Sequence, residues 1–206
     1  MRQLDDIYGE LSQHLDAYKQ RFISPHVPAN PEAQPQSFAF DVKAYCILSH
    51  AALEDYFETV SLSIVSQAID AWITRRQPSE CILMLIGRYG IAYSLSDEDA
   101  GPDVRIFDTV REMLVDVKKR FSRDIHDNHG VSVRHLRKLV APIGCDFIPD
   151  GNASNAFVQL SKERGIYAHK VGAQQVLAPE DAAGFVTDCL RYAEWLKEEL
   201  KRKGWV

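Results

Sequence analysis

An unbroken helical pattern, FAFDVKAYCILSHAALEDYFETVSLSIVSQAIDAWITRRQ, runs from Phe38 to Gln77 and contains neither glycine nor proline. Large and small apolar side chains recur along it with an approximate helical period, at Tyr45, Leu48, Ala52, Phe57, Val60, Ile64, Ala68 and Trp72. A stretch with this period and without helix-breaking residues predicts one long helix, or two that are nearly collinear. Pro78 marks its end.

Shorter helical patterns lie on both sides of this stretch. Apolar residues spaced by three and four predict a first helix over 4–22, and four prolines between Pro25 and Pro35 predict an extended connector after it. Further helices are expected at about 80–93, at 106–125, after Ser132 as a candidate cap, from Asn152 or Ser154, and from Pro179. No strand alternation is present in the sequence.

The expected fold is therefore all-α, a bundle of about six or seven helices with one dominant core. We divide the chain into residues 1–37, an N-terminal helix with its proline-rich connector, and residues 38–206, the helical domain.

Composition narrows the class of protein. The chain has 206 residues, of which 46% are hydrophobic and 26% charged, as in a globular protein and not a disordered one. No apolar run approaches the roughly 18 residues of a membrane span, and the N-terminus lacks a signal-peptide core, so we expect a cytoplasmic protein without membrane contact. Cys46, Cys81, Cys145 and Cys189 are scattered, and we expect them to be reduced, buried and structural. The net charge of −5 argues against bulk coating of nucleic acid but allows a local basic cleft.

The residues with the clearest chemical potential lie in Lys162-Glu163-Arg164-Gly165-Ile166-Tyr167-Ala168-His169-Lys170. A guanidinium holds phosphate through paired donors, and an imidazole exchanges protons near neutral pH. Arg164 and His169 together could cleave a phosphodiester without a metal. The simpler alternative is an arginine paired with a carboxylate and a histidine hydrogen-bonded in the core. Five residues of α-helix turn the chain by about 140° and advance it by about 7.5 Å, so the two side chains would not stack on one another.

Three segments together resemble the HEPN superfamily, and within it the RiboL-PSP-HEPN group. They are Ser49 to Phe57 on the long helix, Asn128-His129-Gly130 with the basic helix and Pro142-Ile143-Gly144 after it, and Arg164 to Lys170. The resemblance covers about residues 44–200. It implies an all-α fold that forms a homodimer with a composite active site, and a metal-independent endoribonuclease that leaves a 2′,3′-cyclic phosphate.

The family motif, an arginine followed after four to six residues by a histidine, transfers to Arg164 and His169. Gly165 stands where the family commonly has a polar residue, and many members with a degraded motif are not catalytic. The resemblance also implies a toxin or anti-phage defence effector, with RNA as partner and an antitoxin or sensor protein as regulator. The alternative is a non-catalytic HEPN module for dimerisation, nucleotide binding or partner binding. A third hypothesis is a regulatory subunit that docks through its N-terminal helix and connector.

Five further residues are candidates for binding or orienting the substrate. Glu54 either orients Arg164 from the facing helix or points to solvent, and His50 either reaches the same cleft or is a satisfied core histidine, which we prefer. Tyr167 either stacks on a base or packs, the latter being preferred; Lys170 could add a phosphate contact, and Asn128 belongs to the second family segment.

No cofactor is expected, and no metal. His126, Asp127, His129 and His135 have suitable ligand types but lack an established zinc spacing, and Asn128-His129-Gly130 is more typical of a turn that ends a helix. Basic residues concentrate nearby, at Lys118, Lys119, Arg120, Arg123, Arg134, Arg137 and Lys138. They either flank an RNA path or form a solvated helix face.

Overall fold

The computed structural model describes residues 3–28, 34–90, 106–146, 149–169 and 177–206, and the side chains of 106, 107 and 167–169 lie outside this description. Within these ranges the chain forms seven α-helices and no strand, so the all-α prediction is confirmed. The helices are α1 (Leu4–Phe22), α2 (Ala39–Arg75), α3 (Glu80–Tyr89), α4 (Ile106–His126), α5 (Val133–Val140), α6 (Gly151–His169) and α7 (Pro179–Arg202). Short 3₁₀ turns follow α1, precede α2 and follow α5.

The long helix α2 is the centre of the bundle. It is continuous over 37 residues, which confirms the first of the two alternatives for this stretch. Each of the other six α-helices contacts it. Its buried positions often come as adjacent pairs, such as Tyr45 with Cys46 and Tyr56 with Phe57, and therefore cover a wide part of its circumference. A helix surrounded in this way must be apolar on several faces.

Three aromatic rings join α2, α6 and α7 in the core. Phe57 of α2 lies with its ring centroid 5.9 Å from that of Phe157 on α6 and 6.2 Å from that of Tyr192 on α7. Phe157 and Tyr192 meet edge to face at 5.6 Å. Such contacts stabilise by about 0.5–1.5 kcal/mol each beyond the burial of apolar area. They also fix the position of α6 along α2.

The first helix packs into the same core. Leu4, Ile7, Leu11 and Leu15 form its buried face, and α1 contacts both α2 and α7. The Asp5 carboxylate accepts a hydrogen bond from Lys201 at 3.0 Å. The N-terminal helix therefore covers apolar surface of the bundle. The division of the chain at residue 37 stays a prediction.

One helix start and one capping bond differ from the sequence prediction. The Ala153 N–H donates to Asp150 Oδ1 at 2.7 Å, so Asp150 caps α6, and the expected start at Asn152 or Ser154 is wrong. Ser132 precedes α5 but makes no side-chain capping bond, because its hydroxyl contacts His135 instead. Pro179 begins α7 with Glu180 and Asp181 in the first turn, as predicted.

The four cysteines are buried and unpaired, as expected. Burial raises the pKa of the Cys46 and Cys81 thiols to about 12, so both remain protonated and unreactive at neutral pH. In the described ranges, no helix combines the length and the apolar character that crossing a bilayer requires.

The aromatic contacts of Phe57 predict a large loss of stability when its side chain is truncated. Phe57 is fully buried, and Phe57→Ala should lower the free energy of unfolding by about 3–5 kcal/mol, through lost burial and the cavity left behind. Phe40, on the same helix, is 78% exposed, and Phe40→Ala should change the free energy of unfolding by less than about 0.5 kcal/mol. Urea unfolding followed by circular dichroism measures both. Similar losses in the two variants would contradict the packing of α2.

Candidate functional site

The register between α2 and α6 places Arg164 opposite His50. The ring of Phe57 contacts that of Phe157, and the positive charge of Arg164 lowers the pKa of His50. His50 lies seven residues before Phe57, whereas Arg164 lies seven residues after Phe157. The two helices are therefore antiparallel, and two turns, about 10.5 Å, separate the aromatic contact from this polar pair.

Arg164 lies at the end of the buried face of α6, where the surroundings of the helix become polar. It follows Leu160 by four residues and Phe157 by seven, both fully or almost fully buried, and is itself partly exposed. In the part of the chain that the structure describes, no carboxylate forms an ion pair with its guanidinium. Within the described residues, a partly buried arginine without a carboxylate partner is unusual, and its guanidinium has donors that suit an anionic ligand.

His50 is buried and uncharged at neutral pH. Its side chain is 3% exposed. Burial, followed by the charges of Arg164 and His135, lowers its pKa from 6.5 to about 4. The Glu54 carboxylate lies 3.8 Å from His50 Nδ1, beyond hydrogen-bond distance. A neutral and enclosed imidazole is poorly suited to deliver a proton to a substrate.

The hydrogen-bond partner of Glu54 is in the loop between α4 and α5. Its carboxylate accepts a short hydrogen bond from the backbone N–H of Gly130, and no ion pair joins it to Arg164. Gly130 has φ +124°, a conformation that favours glycine. In the described structure Glu54 forms no ion pair with Arg164, and its role in orienting Arg164 stays a prediction.

Glu58, one turn further along α2, has an unusual protonation equilibrium. Burial, then the neighbouring charges of Glu54 and Asp55, raise its pKa to about 7. The sequence shows that Glu58 lies four residues after Glu54, but it does not show the burial that raises the pKa.

Asn128 is 3% exposed and lies in the loop between α4 and α5. Its Nδ2 donates to the carbonyl oxygen of His135 at 3.3 Å, and its Oδ1 has no hydrogen-bond partner in the described structure. Asn128 thus connects the end of α4 to α5. Its contacts orient the protein backbone.

His135 lies in the same cluster as His50, Glu54, Asn128 and Arg164. The sequence suggested for it only a possible role as a metal ligand. Its Nδ1 lies 2.8 Å from Ser132 Oγ, and its charge acts on His50. The ring is partly exposed. The serine three residues before the histidine at a helix start was the available signal.

The second residue of the motif is described only in its backbone. α6 continues through His169, so the rise of about 7.5 Å and turn of about 140° from Arg164 apply to the observed helix. The side chains of His169 and Tyr167, and all of Lys170, lie outside the described residues. The structure therefore brings together His50, Glu54, Asn128 and Arg164 of the predicted set.

The histidine-rich end of α4 does not form a metal centre within the described ranges. His126 and His129 have ring centroids 6.3 Å apart. No group of three or more histidine, cysteine, aspartate or glutamate side chains in the described residues could hold a metal ion.

Comparison with known proteins identifies a family. The model of the family described as RiboL-PSP-HEPN matches residues 2–202 of this chain. The match extends beyond the segments noted in the sequence and includes α1. Neither the curated proteins nor the solved structures contain a significant match.

The conformation of Gly130 gives a stability prediction. A Cβ at this position would lie 3.1 Å from His135 Nδ1 and sit at φ +124°, so Gly130→Ala should cost about 1–3 kcal/mol of unfolding free energy. Gly184 lies inside α7, where an added methyl group would meet no atom within 4 Å; Gly184→Ala should instead add up to about 1 kcal/mol. Thermal unfolding of both variants measures the difference. Equal changes would contradict the loop geometry.

The burial of His50 predicts a pH dependence of stability. The unfolded chain binds a proton at His50 near pH 6.5, but the folded chain only near pH 4. The free energy of unfolding should therefore fall as pH decreases from 6.5 to 4. Urea unfolding across this window should show a shallower fall in His50→Gln, whereas His14→Gln, at an exposed site on α1, should keep the wild-type slope. Identical slopes in wild type and His50→Gln would refute the assignment.

Proposed function

This chain belongs to the RiboL-PSP-HEPN family, and we propose that it is a metal-independent endoribonuclease whose catalytic residues are Arg164 and His169. The fold and the family model establish a HEPN module. The nuclease activity is supported by the residues that this module carries.

The observation that carries the proposal is the guanidinium of Arg164, which has no ion-pair partner among the described residues. It stands at the polar end of the α2–α6 contact, opposite a histidine that is neutral at pH 7. Had Arg164 only a structural role, a carboxylate would be expected beside it. A phosphate would supply the missing negative charge and match the geometry of the guanidinium donors.

The proposed reaction uses the 2′-hydroxyl of RNA as nucleophile. Its oxygen attacks the adjacent phosphorus, the bond to O5′ breaks, and the products are a 2′,3′-cyclic phosphate and a 5′-hydroxyl. Arg164 stabilises the additional negative charge of the transition state. His169 supplies one of the two proton transfers, at O2′ or at O5′. DNA lacks the nucleophile and should not be cleaved.

A homodimer would complete the site. Because Arg164 and His169 are separated by about 140° around α6, one copy of the helix directs them differently. A two-fold axis near α6 would place the motifs of two chains in one groove, as an isologous interface does. We further propose that such a dimer serves as a toxin or anti-phage defence effector under the control of an antitoxin or sensor protein, on the basis of family resemblance.

One observation favours the alternative of a non-catalytic HEPN module. Gly165 follows Arg164 where the family commonly has a polar residue, and a Cβ there would meet no atom within 4 Å. The space that a third polar side chain would use is therefore open. Such a module would bind a nucleotide or partner at Arg164 without cleaving it.

Cleavage assays in EDTA test the nuclease. Wild type should cut single-stranded RNA but not the DNA of the same sequence, and Arg164→Ala or His169→Ala should each lower the single-turnover rate by about 10²–10⁴-fold. Arg21→Ala and His14→Ala change the same residue types at exposed positions of α1 and should retain the wild-type rate. Mass spectrometry of the products should show the cyclic phosphate. Wild type and both motif variants behaving alike would refute the nuclease and favour the binding module.

A further inference from the structure

We propose that His135 is a further catalytic residue, the general base that takes the proton from the 2′-hydroxyl of RNA, a role that rests on the nuclease activity proposed above. This assignment gives the second proton transfer, at the leaving O5′, to His169. It also gives a function to an imidazole in the Arg164 cluster that the motif does not include.

One hydrogen bond holds the imidazole of His135, and its backbone is held by a second. Ser132 Oγ lies 2.8 Å from Nδ1. Asn128, buried within the loop, donates to the His135 carbonyl oxygen at 3.3 Å. The ring stands over Gly130, where a Cβ would come within 3.1 Å of Nδ1. Ser132 leaves its capping position unused in favour of the ring, which indicates that its hydroxyl orients the side chain.

The other ring nitrogen is available to a substrate. In the described structure, Nε2 of His135 forms no hydrogen bond, and the residue is partly exposed. His50, the other histidine of the cluster, is buried and cannot reach a bound strand without rearrangement. Of these two imidazoles, only that of His135 combines a fixed nitrogen with an accessible one, the arrangement in which an oriented base acts.

The charges around His135 favour its neutral, proton-accepting form. Burial comes first among the causes that lower its pKa, followed by Lys138 and Arg134 of α5, with His129 of the loop acting in the same direction. Glu54 of α2 opposes them. His50 faces His135 from α2 without a charge at neutral pH. A neutral imidazole that donates Nδ1–H to Ser132 Oγ keeps the Nε2 lone pair for the incoming proton.

The proposed step exchanges one phosphorus–oxygen bond for another and moves two protons. His135 Nε2 takes the proton of the 2′-hydroxyl while O2′ forms its bond to phosphorus. The bond between phosphorus and O5′ breaks, and O5′ receives a proton from protonated His169. Arg164 neutralises charge on the non-bridging oxygens between the two events.

The exposed face of α5 supplies a path for the RNA strand to this base. Arg134, Arg137 and Lys138 are exposed, whereas Leu136, Leu139 and Val140 are buried. Phosphates on either side of the scissile bond would meet these cations next to His135. The acidic net charge of the whole chain does not oppose such a local surface.

The experiment compares His135→Asn with wild type across pH 5 to 9. Asparagine can still bond to Ser132 from near the Nδ1 position but has no group at Nε2. We expect a single-turnover rate about 10²–10⁴-fold lower at pH 7. The wild-type rate should pass through a maximum, because His135 must be neutral and His169 protonated, whereas the His135→Asn rate should rise with pH and show no fall at high pH as hydroxide replaces the base. His14→Asn, at an exposed histidine of α1, should match wild type.

A second substrate separates the two proton transfers. In RNA with sulfur in place of the scissile O5′, the leaving thiolate needs no proton. This substrate should restore cleavage by His169→Ala but not by His135→Asn. Added imidazole should partly restore His135→Ala, which a purely structural defect would not allow.

Several results would overturn the assignment. They are a His135→Asn rate within twofold of wild type, a lower rate with the wild-type pH profile, and recovery of His135→Asn on the sulfur substrate. Wild-type protein that cleaves neither substrate would instead reject the nuclease itself, together with this role. Circular dichroism of each variant confirms that the fold is retained.

Discussion

The packing of every other α-helix against α2 is the constraint on which the structure depends. Because α2 is surrounded, its direction and register determine where each partner helix places its side chains. The contact between Phe57 and Phe157 is the clearest case. It locks α6 antiparallel to α2, and two turns further on the same register brings the polar residues Arg164 and His50 together. An apolar contact therefore sets the geometry of a charged site.

A second, local constraint acts near that site. Gly130 adopts a backbone conformation that directs its N–H to Glu54 Oε1. The other carboxylate oxygen lies 3.8 Å from His50 Nδ1, and no ion pair joins Glu54 to Arg164 in the described residues. The loop between α4 and α5 therefore helps to position a carboxylate of α2 beside the buried histidine, although the loop and α2 are distant in the sequence.

Local sequence signals explain which features could be predicted. The absence of glycine and proline from 38 to 77 makes α2 evident, and Pro179 with two acidic residues makes the start of α7 evident. The spacing to His169 singles out Arg164. The partner of Glu54 cannot be predicted, because its carboxylate bonds to Gly130, 76 residues further along the chain. Such a contact depends on the packing between helices, which periodicity does not encode. Ser132 instead bonds locally to His135, three residues on, in place of the backbone bond that its capping position favours.

Burial, more than residue type, separates the two histidines of the cluster. Both are influenced by desolvation and by neighbouring cations, and for both the pKa is lowered. His50 sits within the α2 core, where the absence of solvent access makes it a neutral packing element. His135 sits at the rim, on a short helix whose other face is basic and exposed. The same side chain is therefore an enclosed packing element at one position and partly open to solvent at the other, a difference that the spacing of a sequence motif does not encode.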